Sequence, residues 1–421
     1  MIRRILVAAA LLAVALPAGA QTVAITNATV YTMTDAGRIE NATIVIEGER
    51  IRAVGAGVAV PSGARVLDAG GRPVTPGFFD AWSHVGTVEI SGVPGTNDSS
   101  VDDARVTAAF NTADAFNPRS MLIPVTRIEG VTRALVAPRP SGHIIGGQAI
   151  VVHLGGGNGW LVRTPAAMIV QLGERGAELS GGSRAAAMLR LREALQDARD
   201  FASNRRAWER GTRREYAPSR LDLEALQPVI SGRIPLLALV DRASDIEALL
   251  RLAREFELRL VISGGAEAWM VADQLVAAGV PVVLDPLVNL PGSFEMLGAT
   301  GENAARLHAA GVRIAFATGD THNARNLRQS AGNAVARGLP WDAALAAVTV
   351  NAPRMFGIES FGTIAPGAAA DIVVWDGDPL EVTSYPDAVF INGERIPMRS
   401  RQTELRDRYL PRARTLPHAY Q

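Results

Sequence analysis

The sequence predicts an α/β fold: a (β/α)8 TIM barrel with a small β-sandwich domain formed by both chain ends. Three observations lead there. Short β-prone pieces separated by turn residues crowd residues 22–73 and reappear near 370–391. The long stretch between them alternates apolar strand-like runs with helical segments, the pattern of βα units around a parallel sheet. Eight such runs can be counted, the number a closed barrel requires.

Taken in order, residues 1–20 read as a targeting segment. Arg3 and Arg4 precede an apolar run over 5–17, and Ala18-Gly19-Ala20 fits a small-residue cleavage site. The run is too short to span a bilayer with ease, so a cleavable signal peptide ending near Ala20 is expected, with a periplasmic or secreted mature chain. No later stretch approaches a membrane span. Residues 21–73 form the first part of the β-domain, with Val23-Ala24-Ile25, Thr29-Val30-Tyr31 and Thr43-Ile44-Val45-Ile46 as strand pieces. Asp35-Ala36-Gly37 and Pro61-Ser62-Gly63-Ala64 supply turns. Residues 74–357 form the barrel, whose expected strands are 73–80, 131–137, 149–154, 168–172, 236–241, 259–263, 280–285 and 313–318. Residues 358–400 return to the β-domain through Ile372-Val373-Val374-Trp375 and Ala388-Val389-Phe390-Ile391. A tail follows at 401–421.

A helical insertion is expected at 183–226. It is dense in charge, with Arg190, Arg192, Arg199, Arg205, Arg206, Arg210, Arg213 and Arg214 set against Glu193, Asp197, Asp200, Glu209 and Glu215. Two readings fit: a solvated helical pair on the barrel rim, or a lid whose arginines meet an anionic substrate.

Composition removes several chemistries. The 421 residues include 42 basic and 42 acidic side chains, six histidines and no cysteine, and every basic residue is arginine. Without lysine there is no Schiff base, no phosphate-loop lysine and no carboxylated lysine to bridge two metals. Without cysteine there is no thiolate nucleophile, thiolate zinc site or disulfide. A net charge of zero and 5% aromatic residues argue against a nucleic-acid partner. Losing the leader removes two arginines and leaves a net charge of −2.

In a barrel of this kind chemistry sits where strands end, so the residues after each run are the ones to inspect. The first run ends in Asp80-Ala81-Trp82-Ser83-His84. The last ends in Thr318-Gly319-Asp320, followed by Thr321-His322-Asn323. The first segment resembles the opening barrel strand of the amidohydrolase superfamily, notably its imidazolonepropionase-like members, which carry His-x-His there. Downstream, Gly338-Leu339-Pro340-Trp341-Asp342, Val348-Thr349-Val350-Asn351-Ala352-Pro353 and Gly362-Thr363-Ile364-Ala365-Pro366-Gly367 resemble the same family's path back into its small sheet. The resemblance covers residues 22 to about 400.

It implies hydrolysis of a carbon–nitrogen bond, other than an ordinary peptide link, in a cyclic amide, small amide or dipeptide-like substrate. Asp320 takes the strand-eight place, where the family's aspartate binds metal and activates water; His84 takes the second histidine of the first strand. The implied metal site is degenerate. Trp82 stands at the first histidine position, and no histidine occurs from residue 154 to 307, which spans expected strands four, five and six. His84 and Asp320 remain as metal ligands, with His322 and Asp241 as further donors and Asp285 and Glu267 as nearby acids. Zinc normally takes three protein ligands plus water, and an oxygen-rich set favours a harder ion such as manganese, so a divalent metal (zinc or manganese) and a metal-free site both stay open. Loop-capping roles for Asp241 and Asp285, and a helix-start role for Glu267, stand beside these readings. His143 (in a glycine-rich loop), His322 and Glu267 are candidate contacts for a small-molecule substrate. His153 reads as a satisfied barrel histidine. The alternative function is a catalytically degenerate barrel that binds a small ligand or a partner; a homo-oligomer is compatible with either.

Overall fold

The computed structural model describes residues 22–410, so the expected leader and the last part of the tail lie outside the described residues. Strands β1 (Thr22–Tyr31), β2 (Arg38–Glu47), β3 (Arg50–Gly55), β4 (Arg65–Asp68) and β5 (Pro73–Pro76) open the chain. The barrel strands follow: β6 (Phe78–Ser83), β7 (Val131–Val136), β8 (Ile145–His153), β9 (Leu161–Gln171), β10 (Leu236–Val240), β11 (Leu260–Gly264), β12 (Val282–Leu284) and β13 (Ile314–Phe316). β14 (Ile372–Trp375), β15 (Pro386–Ile391) and β16 (Glu394–Arg395) close the set.

The small domain is one connected sheet built from both ends, in the order β16-β15-β14-β5-β1-β2-β3, with β4 also pairing β1. Its core gathers Ile25, Val30, Ile44 and Ile46 from the first part and Ile372, Val374 and Phe390 from the second. Those β-branched and aromatic runs can bury their apolar area only against one another, which draws distant segments into one sheet. The expected strand 73–80 is in fact two. Pro73–Pro76 pairs with β1 and β14, whereas Phe78–Ser83 pairs with β7 in the barrel. Gly77 marks the division: a Cβ there would lie 2.2 Å from the Thr132 hydroxyl. Apolar periodicity shows no such break, because both halves are buried.

The barrel sheet runs β13-β12-β11-β10-β9-β8-β7-β6. It departs from a uniform βα pattern in its first half. β8 is antiparallel to both β7 and β9, so the three make a meander without crossover helices. The connections, 137–144 and 154–160, are too short for a parallel crossover, which takes about a dozen residues or more. Beyond β9 the pairs are parallel, and helices intervene. One of them, Ala243–Phe256, buries Ile246, Leu249, Leu250, Ala253 and Phe256, the i, i+3, i+4 stripe of a helix laid on a sheet. No ladder joins β6 to β13; the gap is closed above them, where the Gly319 amide donates to the Trp82 carbonyl at 3.1 Å and the His84 amide to the Asp320 carbonyl at 3.1 Å.

Small and branched residues fill the barrel interior: Ala81, Leu135, Val151, Ile169, Leu237, Val283 and Ala315. Below it, Arg133 reaches the small sheet. Its guanidinium bonds both Asp371 oxygens, at 3.0 and 3.1 Å, and Asn392 at 2.6 Å. The charge-dense insertion forms the helices Arg184–Glu209 and Arg220–Ile230. Four of its eight named arginines make ion pairs among the described residues: Arg192 with Glu255, Arg205 with Glu209 and Glu224, Arg213 with Asp200, and Arg214 with buried Asp197.

Candidate active site

At the barrel mouth the ends of β6, β7 and β9 to β13 surround a cavity of about 340 Å³. His84, just past β6, is its best-defined polar group. The residue is 1% exposed, and its Nδ1 lies 3.0 Å from the Ala137 carbonyl. A carbonyl only accepts, so Nδ1 carries the ring proton and Nε2 keeps a lone pair. Burial, followed by the Arg139 charge, pushes the imidazole down to about 4, against the opposing pull of the Ala137 carbonyl and Asp320. His84 is therefore neutral at physiological pH.

Asp320 sits beyond β13 on a turn made by Gly319, whose φ of 62° suits glycine. The turn sends the two ends of Asp320 different ways. Its backbone carbonyl accepts from the His84 amide and from the Ser83 hydroxyl at 3.2 Å. Its carboxylate turns into its own loop and accepts from the amides of Thr321 and His322 and from the Asn323 side chain at 2.8 Å. Burial alone would raise this carboxyl; those donors outweigh it and hold the group below the usual carboxylate range. The carboxylate does not line the mouth cavity.

Behind His84 lies an acid that was quoted in the first-strand motif but given no role there. Asp80 is 0% exposed and accepts from the Thr318 amide at 3.2 Å, the Thr318 hydroxyl at 2.7 Å and the Trp82 amide at 3.3 Å. Burial pushes it up to about 7 despite these bonds. It ties the first barrel strand to the last.

The other expected site residues are dispersed. Glu267 does not line the mouth cavity: its carboxylate accepts from the Ala243 and Gly298 amides, both at 3.0 Å, and staples two loops. Asp241 accepts from the Ala266 amide at 3.0 Å and lies against Gly264, off the cavity wall. Burial raises it, the Ala266 bond opposes that, and nearby Glu267 adds to the rise. His322 is exposed in a separate shallow cavity with Ile90, Met121 and Leu405, its Nδ1 3.1 Å from the Thr321 hydroxyl. His143 lines a different cavity of about 520 Å³ beneath the insertion, with Arg190, Tyr216 and Asp222. Its Nδ1 accepts from the Ile145 amide at 3.0 Å. His153 lies at the far end of the barrel, because β8 runs antiparallel, and bonds the Gly159 carbonyl at 2.9 Å. Among the expected residues only His84 and Asp285 line the mouth cavity.

The donor set does not fit a catalytic metal. Of the strand ends that form the mouth, Trp82, Gln171, Leu239 and Ser263 offer neither an imidazole nor a carboxylate, and Asp285 offers the one carboxylate. Asp320 spends its carboxylate on its own loop, which leaves the His84 Nε2 as the one imidazole donor on the wall. Among the described residues no group of three histidine, cysteine, aspartate or glutamate side chains converges on a point. The expected ligands His322 and Asp241 join neither His84 nor one another. Sequence reasoning missed Arg139, Gln171 and Ser263, although each lies at a strand end or in the loop just beyond, where the barrel rule says to look.

Comparison with known proteins places this geometry. Residues 244–397 match the Amidohydrolase family. A crystal structure of an amidohydrolase from Thermotoga maritima MSB8 superposes with a TM-score of 0.82 at 28% identity, covering 90% of this chain and 100% of that one. The chain is similar in sequence and fold to members of the amidohydrolase superfamily. Among curated relatives it resembles imidazolonepropionase: that of Cereibacter sphaeroides is 27% identical over 85% of this chain and 94% of its own length. The amidohydrolase tasK of Hapsidospora irregularis is 28% identical over 79% of this chain, which spans 37% of that longer protein. The chain thus has the barrel and the small sheet but carries a mouth unlike the metal-ligating one its sequence resemblance implies.

Proposed function

We propose that the chain is a hydrolase of a carbon–nitrogen bond in a cyclic amide, a small amide or a dipeptide-like molecule, acting at the barrel mouth. The observation that carries this is His84: a buried, neutral imidazole with its Nδ1–H spent on Ala137 and its Nε2 lone pair left at a cavity of ligand size. In this reading Nε2 takes the proton of an attacking water and returns it to the leaving nitrogen. Asp320 does not take that proton. It holds the His84 backbone through its carbonyl, and its charge favours the imidazolium as it forms. An imidazole with so low a proton affinity is a weak base, so slow turnover is expected.

One observation favours a second reading, a barrel that binds a small ligand without turning it over. Trp82, Gln171, Leu239 and Ser263 stand at the ends of β6, β9, β10 and β11, and none of these four is an ionisable donor. Purified protein assayed for metal content and for cleavage of amide, lactam and dipeptide panels separates the two. The hydrolase reading expects turnover that His84→Gln abolishes and Asp320→Asn reduces about tenfold to a hundredfold. Absence of turnover on every panel, with ligand binding retained, would establish the second reading instead.

A further inference from the structure

We propose that Arg139 and Asp285 act as a two-charge clamp that selects a small zwitterion, carrying an ionised carboxylate at one end and an ammonium at the other. The inference rests on the mouth cavity being the ligand site, as above, and adds what that site recognises. Arg139 lies in the loop after β7 and Asp285 just after β12; both are exposed on the wall of the same cavity. Among the described residues neither enters an ion pair, and the Asp285 carboxylate accepts only from the Leu287 amide, at 3.0 Å. That sets them apart from Arg184, Arg192, Arg205, Arg213 and Arg214, each bound to an acid. The Arg139 charge also reaches His84, where it depresses the imidazole's proton affinity.

Position around the barrel explains why the two charges stay apart and what can join them. In sheet order β7 neighbours β6, the barrel closes from β6 to β13, and β13 neighbours β12. Three strand spacings of about 4.8 Å each therefore separate the cation from the anion along the wall, too far for direct pairing. A ligand with a carboxylate and an ammonium separated by the length of a dipeptide satisfies both. Its middle then passes the stretch of wall that holds His84 and Thr318. The cavity's apolar side, from Trp82, Leu239, Val283 and Leu284, receives an aliphatic side chain. The two ends are read by charge-assisted bonds, and the amide between them is set before the imidazole.

The test is titration calorimetry of the purified chain with alanyl-leucine, N-acetyl-alanyl-leucine and alanyl-leucine amide. The zwitterion is expected to bind at least about tenfold more tightly than either blocked form. Arg139→Gln should erase the penalty for amidation while leaving that for acetylation, and Asp285→Asn should do the reverse. Both residues are exposed, and circular dichroism checks each fold. Equal affinity for all three probes, no binding of any, or discrimination that survives both variants would overturn the clamp. Cleavage of panel amides regardless of their terminal blocks would sink the clamp and leave the hydrolase reading standing. Discriminating binding without cleavage would do the opposite.

Discussion

The insertion and the barrel mouth both present arginine to solvent, and they use it in opposite ways. On the insertion, Arg213 and Arg214 lock onto Asp200 and Asp197, and Arg205 bridges Glu209 and Glu224. There, three arginines are matched to acids of the insertion itself, while Arg206 and Arg210 enter no ion pair among the described residues. At the mouth, Arg139 stands without an acid partner among the described residues and acts at a distance on a buried histidine. The difference teaches that a run of charges in sequence says little about recognition. A single unmatched charge at a strand end says more.

The largest effect that sharpens this contrast lies at the mouth and depends on pH. His84 has a folded value of about 4, below its ordinary 6.5, so the unfolded chain takes up the proton first. Its stabilising contribution is present above pH 6.5 and is lost as pH falls toward 4. Asp80, at about 7 against an ordinary 3.8, behaves oppositely: its contribution is present below pH 3.8 and is lost as pH rises toward 7. The two slopes oppose one another across that window. Asp80→Asn should therefore unmask a fall in stability of up to about 3 kcal/mol on acidification, and His84→Gln a fall of up to about 4 kcal/mol on raising the pH. Urea denaturation at pH 4, 5.5 and 7 reads this directly; slopes unchanged from the parent would refute the buried pair of opposing groups.

A smaller effect is expected in the insertion. Asp197 is buried and also accepts from the Ala217 amide at 2.9 Å, so Asp197→Ala leaves that amide unsatisfied and frees Arg214. The expected loss is about 1–3 kcal/mol, seen as a lower urea midpoint with ligand affinity at the mouth unchanged. If affinity at the mouth fell instead, the insertion would be acting as a lid. The smallest effect on stability, within about 0.5 kcal/mol, is predicted for Arg139→Gln. It should nonetheless move the His84 titration upward in an NMR pH series, and an unmoved titration would dissociate the two residues.

Much of the fold was legible. Strands expected at 236–241, 259–263, 280–285 and 313–318 appear as β10 to β13 within a few residues, because continuous apolar runs between helical patterns have few other homes. The direction of β8 was not read, since an apolar run looks the same in either direction; the lengths of 137–144 and 154–160 held the answer. At the site, His84 lines the cavity as its strand-end position suggested. The Asp320 carboxylate does not, because the turn at Gly319 aims it along the loop. Glu267 and His322 were near the right strand ends in sequence, yet a carboxylate satisfied by two amides and a ring on the outer surface take no part in the mouth.

Sequence by itself determined which chemistry this barrel lacks. With no lysine or cysteine in the chain and no histidine between residues 154 and 307, the expected fourth to sixth strands can supply no lysine, thiolate or imidazole ligand. Composition caps the donors available at any geometry. Tertiary structure alone decided which of the remaining charges are free to act. Which charges meet depends on distances that the chain order does not give: the closed sheet brings Arg139, His84 and Asp285 to one cavity, while Arg213 and Arg214 meet acids of the insertion.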